Sequence, residues 1–295
     1  MTDDTIGPVV VGVSGGPNSI AAATWACAVA SRWGAAVQLI HSLPTTGHFM
    51  SDAAVVAIRA TAGEEQRHAA HLILDGAKSH VGQHFPDLEV LVAVVSEPAD
   101  DALVRASGDA TLVVVGCDDV NPVAALLVGA TSLSVATHAT CPVAVWRNVT
   151  EPDDRPIVVG VDDTPAGAAA LAAAFDFAAR FGAPVRAVHA WSINKAVDWP
   201  ALPMLLDWDA IADAETNALE YALAPWRTRY PDVAVDCIVE EGKPGAALLQ
   251  HSDGAQLAVV GNHWRSTIAS VALASTSLHL LHHSTIPVLV CHAGG

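Results

Sequence analysis

The sequence is short of charge, and of positive charge above all. Only 15% of its 295 residues are Asp, Glu, Lys or Arg, and 14 basic residues stand against 31 acidic ones, for a net charge of −17. Both halves share this excess, with fourteen acids against six bases in residues 1–150 and seventeen against eight in residues 151–295. Because such a surface repels polyanions, we expect no binding to nucleic acid or to an anionic membrane.

Paired cysteines and long hydrophobic runs are missing as well. The five cysteines are odd in number and contain no C-x-x-C pair, which is typical of a reduced intracellular protein. No apolar run approaches the roughly eighteen residues of a membrane span, and the acidic start MTDDTIGP lacks the basic charge of a signal peptide. These features predict a cytoplasmic protein.

Common catalytic signatures are absent. The sequence has no G-x-x-x-x-G-K-[ST] loop, and no Ser-His-Asp order or pair of carboxylates stands out. Histidines four residues apart occur at His80 and His84 and at His279 and His283, but such pairs arise by chance among 14 histidines. We therefore predict no metal site and no enzyme activity beyond very weak ATP hydrolysis.

The most informative feature is an internal repeat. Three segments of the first half recur in the same order in the second, at offsets of 148, 145 and 145 residues: 8–17 (PVVVGVSGGP) at 156–165 (PIVVGVDDTP), 111–120 (TLVVVGCDDV) at 256–265 (QLAVVGNHWR), and 129–146 at 274–291. The repeat predicts two copies of one domain, at 1–148 and 155–295, joined by a polar linker at about 147–156.

Short apolar runs alternate with longer helical patterns in each copy. The first copy predicts strands at 8–13, 36–43, 88–95, 111–116 and 142–146, and helices at 17–33, about 52–83, 98–107 and about 126–138. The second copy predicts strands at 157–161, 185–191, 233–239, 256–260 and 287–291. Continuous apolar strands indicate a parallel sheet covered on both faces. We predict an α/β fold with two tandem doubly wound, Rossmann-like sheets of five strands in the order 3-2-1-4-5, with ligands at the carboxyl ends of strands 1 and 4.

The end of the first copy, VGCDDVNPVAALLVGATSLSVATHATCPVAVW (residues 115–146), resembles the end of a universal stress protein domain. The likeness extends over essentially the whole chain, once in each half, as in tandem members of that family with their adenine-nucleotide alpha-hydrolase-like fold. It implies a protein that binds ATP without defined catalytic turnover and acts in adaptation to stress or dormancy.

The resemblance also implies a set of site residues. In the family, an Asp after the first strand contacts adenine and the backbone after the second strand lies against the base, while glycines after the fourth strand and the start of the next helix hold the phosphates. The corresponding residues of the first copy are Val13, Ser14, Gly15, Ser42, Gly116, Asp119, Gly129, Ala130 and Thr131. Those of the second copy are Val161, Asp162, Asp163, Thr164, Ala190, Gly261, Ala274, Ser275 and Thr276.

Each copy departs from the family pattern in a different place. In the first copy, Ser14 replaces the Asp, Asp119 stands at the second glycine, and Ala130 replaces Ser or Thr. In the second copy, Trp264 and Ala274 stand at glycine positions. We expect the second copy to keep the better base pocket and the first copy the better phosphate loop. The resemblance implies ATP as the cofactor. Mg²⁺ is a possible addition, because a carboxylate beside phosphates is repulsive unless a metal ion bridges them.

Two other functions remain open. The loop Ser14-Gly15-Gly16-Pro17-Asn18-Ser19 resembles the SGGxDS loop of ATP pyrophosphatase-type enzymes, which implies adenylating activity. Alternatively, the chain is a scaffold that has lost nucleotide binding and serves an unknown protein partner.

Two further segments bear on partners. The segment WSINKAVDWPALPMLLDW (191–208) predicts either a lid or partner-binding patch, or a loop folded back on its own domain. The closing strands PVAVW and IPVLVC predict an intramolecular pseudo-dimer of the two halves, and exposed strand edges favour an additional homodimer.

Overall fold

A computed structural model describes residues 6–43, 52–117, 129–148, 151–192, 207–262 and 273–293. The chain forms two compact units, Met1–Pro152 and Asp153–Gly295. Each unit alternates strands and helices.

The first unit has five strands and four helices among its described residues. These are β1 (Val9–Gly12), α1 (Pro17–Trp33), β2 (Val37–Ser42), α2 (Asp52–His84), β3 (Val90–Val95), α3 (Ala99–Ala106), β4 (Leu112–Gly116), α4 (Ala130–His138) and β5 (Val143–Trp146). All strand pairs are parallel, in the order β3-β2-β1-β4-β5.

The second unit has the same plan. Its elements are β6 (Ile157–Gly160), α5 (Pro165–Phe181), β7 (Val185–Trp191), α6 (Trp208–Arg229), β8 (Val235–Glu241), α7 (Pro244–Gln250), β9 (Leu257–Asn262), α8 (Ser275–His283) and β10 (Val288–His292). Its strands are also parallel, in the order β8-β7-β6-β9-β10. The predicted fold, two doubly wound sheets in the order 3-2-1-4-5, is therefore confirmed.

The same local sequence features form the central strands and the first helix in both units. The central strands β1 and β4 consist of β-branched and other apolar residues with almost no exposure, as a sheet covered on both faces requires. Helices α1 and α5 each begin with proline, whose fixed φ suits the first helical position. Each is followed by a glycine at φ 68°, Gly34 and Gly182, which takes up the left-handed conformation that ends the helix.

Some predictions fall on residues outside the described ranges. The helix expected at about 126–138 begins at Ala130 among the described residues. Asp119, Trp264 and the central part of the tryptophan-containing segment, residues 193–206, lie outside them. Among the described residues, no helix is long and apolar enough to cross a membrane.

Candidate functional site

A cavity of about 460 Å³ opens in the first unit at the carboxyl ends of β1 and β4. This is the point where the winding of the sheet reverses, because β1 pairs with β2 on one side and with β4 on the other. The ends of three strands, the starts of α3 and α4, and one residue of α1 form its wall. The wall consists of Gly12, Val13, Ser14, Ser19, Ile40, His41, Ser42, Ala99, Leu103, Val115, Gly116, Gly129, Ala130, Thr131 and Ser132.

The wall of this cavity carries no Asp, Glu, Lys or Arg among its described residues. Its polar groups are hydroxyls, backbone and one imidazole. His41 Nδ1 lies 2.7 Å from the carbonyl oxygen of Val13, and the Ser42 hydroxyl donates to the carbonyl oxygen of Glu97. Since a backbone carbonyl only accepts, Nδ1 of His41 carries the proton in this contact.

Close backbone approach shapes the floor of the cavity. A Cβ atom on Gly116 would lie 3.0 Å from the carbonyl oxygen of Asn18, and one on Gly12 would lie 2.9 Å from Cδ1 of Leu103. These glycines therefore let β1 and β4 meet α1 and α3 without a side chain in between.

The start of α4 offers backbone donors to the same cavity. Gly129 precedes the helix in extended conformation, no side chain caps the helix, and its first turn has no acidic residue. The first N–H groups of a helix have no partner within it and carry partial positive charge. Residues 129–132 line the cavity with this helix start.

The loop after β1 is held together by its own serines. Gly15 has φ 90°, which favours glycine. The Gly15 N–H donates to Ser19 Oγ at 3.2 Å, and Ser19 Oγ donates to the carbonyl oxygen of Gly16 at 2.8 Å. The Gly16 N–H lies 3.4 Å from Ser14 Oγ. The N–H groups of the glycine pair therefore point to hydroxyls within the loop.

The corresponding cavity of the second unit is smaller, about 150 Å³. It lies at the carboxyl ends of β6 and β9, and among its described wall residues Asp162 carries the one carboxylate. Its wall consists of Gly160, Val161, Asp162, Val188, His189, Ala190, Pro244, Leu248, Val260, Gly261, Ala274 and Thr276.

The loop after β6 is built around Asp162. Its Oδ1 accepts the N–H of Thr164 at 3.0 Å and the Thr164 hydroxyl at 2.6 Å. The Thr164 hydroxyl in turn accepts the N–H of Gly167, which caps α5. A Cβ atom on Gly167 would lie 2.0 Å from Asp162 Oδ1, so only glycine leaves room for the carboxylate.

A histidine in the wall of the second cavity forms a hydrogen bond with α6. His189 Nδ1 lies 3.0 Å from the carbonyl oxygen of Val161, and His189 Nε2 lies 2.9 Å from Oε2 of Glu215 on α6. The Val161 carbonyl oxygen only accepts, so Nδ1 of His189 is the donor in that contact. His41 makes the equivalent contact to Val13 in the first unit.

The starts of the fourth helices also differ between the units. The N–H of Ala274, just before α8, donates to Oδ1 of Asn262 at 2.8 Å. The residue of the first unit that corresponds to Asn262, 145 residues earlier, is Cys117. The carbonyl oxygen of Cys117 accepts a hydrogen bond from Nδ2 of Asn18 at 2.9 Å. Ala274, which lines the second cavity, thus has its N–H occupied by a side chain.

Most of the residues carried over from the family pattern lie around these two cavities. Those that line a cavity are Val13, Ser14, Ser42, Gly116, Gly129, Ala130, Thr131, Val161, Asp162, Ala190, Gly261, Ala274 and Thr276. Gly15, Asp163, Thr164 and Ser275 are not among the lining residues of either cavity. Asp119 is outside the described residues.

Sequence reasoning missed two histidines and the apolar floor. His41 and His189 lie near the ends of apolar strands, so no motif marks them, although their offset of 148 residues repeats that of the preceding strands. Leu103 and Leu248 lie under Gly12 and Gly160 and belong to α3 and α7, in which the family pattern has no site residue.

The described part of the chain contains no group of three or more His, Cys, Asp or Glu side chains placed to hold a metal ion. All five cysteines lie within it, and none forms a disulfide. Burial raises the pKa of Cys27 to about 12, of Cys141 to about 11 and of Cys291 to about 12.

A doubly wound sheet with a cavity at its switch point, present twice in one chain, defines a tandem Rossmann-like protein. The sequence model of the universal stress protein family matches residues 5–147 and again residues 155–292. The chain therefore belongs to the universal stress protein family, as a tandem member.

Its relatives agree with this assignment. The chain is 34% identical to a universal stress protein of Mycobacterium tuberculosis strain H37Rv over 295 residues, which cover 96% of both chains. It is 31% identical over 287 residues to one from Mycolicibacterium smegmatis, again covering 96% of both. The crystal structure of a universal stress protein from Archaeoglobus fulgidus matches with a TM-score of 0.73 at 15% identity, covering 98% of this chain and 97% of that one.

Proposed function

We propose that the protein binds an adenine nucleotide, ATP in the first instance, in the cavity of the first unit, and acts in stress or dormancy adaptation without catalytic turnover. The observation that carries this proposal is the size of that cavity. Its volume of about 460 Å³ falls within the range of roughly 300–1,000 Å³ in which small-molecule sites occur. The cavity of the second unit, about 150 Å³, falls below it.

The lining of the first cavity suits the parts of a nucleotide. Apolar side chains, among them Val13, Ile40 and Leu103, offer a surface for the flat face of a base. Hydroxyls of Ser14 and Ser42 stand at the strand ends, where ribose and base edges can exchange hydrogen bonds. The uncapped start of α4 supplies backbone donors for phosphate.

The wall chemistry favours binding over catalysis. Among the described wall residues, His41 carries the one imidazole, and its Nδ1 is bound to the Val13 carbonyl. A phosphoryl or adenylyl transfer needs charged groups or metal ligands at the reacting atoms, and the described wall offers none. The hydrogen bonds from the N–H groups of Gly15 and Gly16 to serine hydroxyls also favour binding over catalysis. An adenylating enzyme would direct those N–H groups at pyrophosphate.

The experiment compares one bulky substitution at matched positions of the two cavities. Ser42 lines the first cavity and Ala190 stands at the same place in the second, 148 residues later. Purified protein is titrated with Mg-ATP by calorimetry. We expect Ser42→Phe to fill the first cavity and weaken binding at least tenfold, while Ala190→Phe leaves the affinity unchanged. A weaker affinity in Ala190→Phe alone would move the site to the second unit.

A second measurement separates the remaining alternatives. The native protein is denatured after purification and the released small molecules are identified by mass spectrometry. Near-stoichiometric adenine nucleotide supports the proposal. If none is released and Mg-ATP at about a hundredfold excess over its expected Kd fails to stabilise the protein by roughly 2.7 kcal/mol, the chain is a scaffold without nucleotide. Stoichiometric pyrophosphate released on turnover would instead establish the adenylating enzyme.

A further inference from the structure

Helix α8 carries three histidines in its last five residues, His279, His282 and His283. The rings of His279 and His283, one helical turn apart, have their centres 4.6 Å from each other and their planes inclined by 52°. Ring nitrogens of this pair make no hydrogen bond to a described residue. In the first unit the corresponding residues are Ser134 and His138, where His138 Nδ1 lies 2.8 Å from the carbonyl oxygen of Ser134.

The ring separation matches a shared metal ion. A metal–imidazole bond of about 2.0–2.1 Å places the metal about 3.2 Å from the ring centre. Two rings bound to one ion at an angle of about 90° then have centres about 4.5 Å apart, and at a tetrahedral angle about 5.2 Å apart. The observed separation of 4.6 Å is close to the value for two ligands at a right angle on one ion, as in tetragonal or octahedral coordination.

The surroundings of His279 favour its use as a metal ligand. It is partly buried against the first turn of α7, where a Cβ atom on Gly245 would lie 2.8 Å from its Cδ2. Burial, together with the charges of His283, Lys243 and His282, lowers the pKa of His279. The contact with Gly245 limits the conformations open to the ring, so ordering it on a metal ion costs less conformational entropy.

We propose that His279 and His283 form a two-histidine site for a divalent transition metal of the copper and nickel class, with water completing the coordination. Imidazole nitrogens suit these ions, and square-planar or tetragonal geometry distinguishes them from tetrahedral zinc. The expected order of affinity is Cu²⁺ above Ni²⁺ and above Zn²⁺, because the Irving–Williams order and the right-angled geometry act in the same direction. Two histidines at positions i and i+4 of a helix are a known way to hold a metal on one helix face.

Lys243 is the neighbouring charge that opposes this site. It precedes α7 and is close enough to contribute to the lowered pKa of His279. Its positive charge repels a bound cation as it repels a proton. Replacement of Lys243 by Gln should therefore increase metal affinity, an effect opposite in sign to loss of a ligand.

A second histidine pair serves as an internal comparison. His80 and His84 on α2 have ring centres 5.2 Å apart, but both are exposed and His84 Nδ1 lies 3.1 Å from the His80 carbonyl oxygen. Because both side chains are exposed, ordering them on a metal ion costs more conformational entropy than ordering the partly buried His279. Because this pair could still take up metal, the test is carried out with His80→Gln in every variant.

The experiment titrates Ni²⁺ into tag-free protein by calorimetry, since Ni²⁺ does not oxidise the cysteines. For His80→Gln we expect one bound Ni²⁺. Adding His279→Gln or, separately, His283→Gln should weaken binding at least tenfold. Adding His282→Gln should leave it nearly unchanged, because the His282 ring centre is 6.4 Å from that of His283, farther than the roughly 5.2 Å expected for two imidazoles at a tetrahedral angle on one ion. Lys243→Gln should strengthen binding several-fold.

Circular dichroism melts establish that each variant is folded. His283 is exposed, so its replacement leaves the protein folded even if His279 contributes to packing. Equal Ni²⁺ affinity in the His283→Gln variant, or an equal loss in His282→Gln, would overturn the proposal. Mg-ATP titration of the same variants keeps this test separate from nucleotide binding, which we place in the other unit.

Discussion

The loops after β1 and β6 begin from the same strand and lead into the same kind of helix, yet two of their residues have changed together. Ser14 and Ser19 of the first unit stand where the second has Asp162 and Gly167, each 148 residues later. The carboxylate of Asp162 occupies space that a Cβ at position 167 would take. In the first unit, Ser19 uses that space to bond Gly15 and Gly16. One backbone plan thus holds two incompatible loop networks.

The two units differ both in these loops and in the cavities beside them. The serine loop accompanies a neutral cavity of about 460 Å³, and the carboxylate loop accompanies one of about 150 Å³. Two units with the same fold therefore have different sites, because a site depends on a few side chains at strand ends. Each of the following predictions alters one unit and uses the other as its reference. Hydrogen exchange read on peptides of each unit separates their stabilities.

The largest effect is expected for Gly261→Ala at the end of β9. A Cβ atom there would lie 2.5 Å from the carbonyl carbon of Ala166, against rigid helix backbone. We expect a loss of about 3 kcal/mol in the second unit, at the upper end of overpacking costs. Gly116→Ala, where the nearest atom is at 3.0 Å, should be milder. Equal losses from the two substitutions would contradict the difference in backbone approach.

The next largest effect is expected when the carboxylate loop of the second unit is introduced into the first. Ser14→Asp alone should destabilise that unit by about 2 kcal/mol, because Ser19 occupies the space that the carboxylate needs. Ser14→Asp with Ser19→Gly should recover about 1 kcal/mol by coupling, even though glycine in a helix itself costs roughly 0.5–1 kcal/mol. Strict additivity in this double-mutant cycle would show that the two positions are independent.

Alkaline pH should weaken the first unit through Cys27. Burial raises the pKa of this thiol to about 12, so above the unfolded value of about 8.5 the unfolded state has lost a proton that the folded state keeps. Stability is fully present below that pH and falls by about 1.4 kcal/mol per pH unit until the folded thiol titrates. Phe175 stands at this position in the second unit.

The control for this dependence is Cys27→Val. It should reduce the alkaline slope of the first unit and leave that of the second unchanged, because the remaining cysteines are untouched. An unaltered slope in the first unit would mean that Cys27 does not keep its proton in the folded state.

The smallest effects concern the caps of α1 and α5. Thr164→Ala removes the hydroxyl that accepts from Gly167 and should cost about 1 kcal/mol in the second unit. Gly16 caps α1 without a side chain, so Gly16→Ser should stabilise the first unit by a few tenths of a kcal/mol. A stabilising Thr164→Ala would show that the Asp162 network strains the loop.

Sequence reasoning reached the fold because the signals for it are local and appear twice. Continuous valine runs, Pro17 and Pro165 at helix starts, and Gly34 and Gly182 after helix ends each report their own surroundings. The site residues stay a prediction. Strand ends of a doubly wound sheet converge, and this brings Ser14, Ser42 and Gly116 to one cavity. Gly15 and Ser275 were placed near the site by motif, but neither lines a cavity.

The rest depends on contacts between distant segments. No local pattern indicates that His189 bonds Glu215 on α6, or that His279 packs on Gly245 of α7. Cavity volume is likewise set by how far helices stand from strand ends. The sequence favoured the second copy for the base, on the strength of Asp162, but the structure gives that copy the smaller cavity.

By itself the sequence determined that the chain holds two copies of one parallel α/β domain, because hydrophobic periodicity and helix-terminating residues act over a few residues and are repeated at constant offset. Only the tertiary structure decided which copy has room for a ligand, which carboxylate has space beside a glycine, and which histidines face each other. Those outcomes are distances between side chains of different elements, and packing alone sets them.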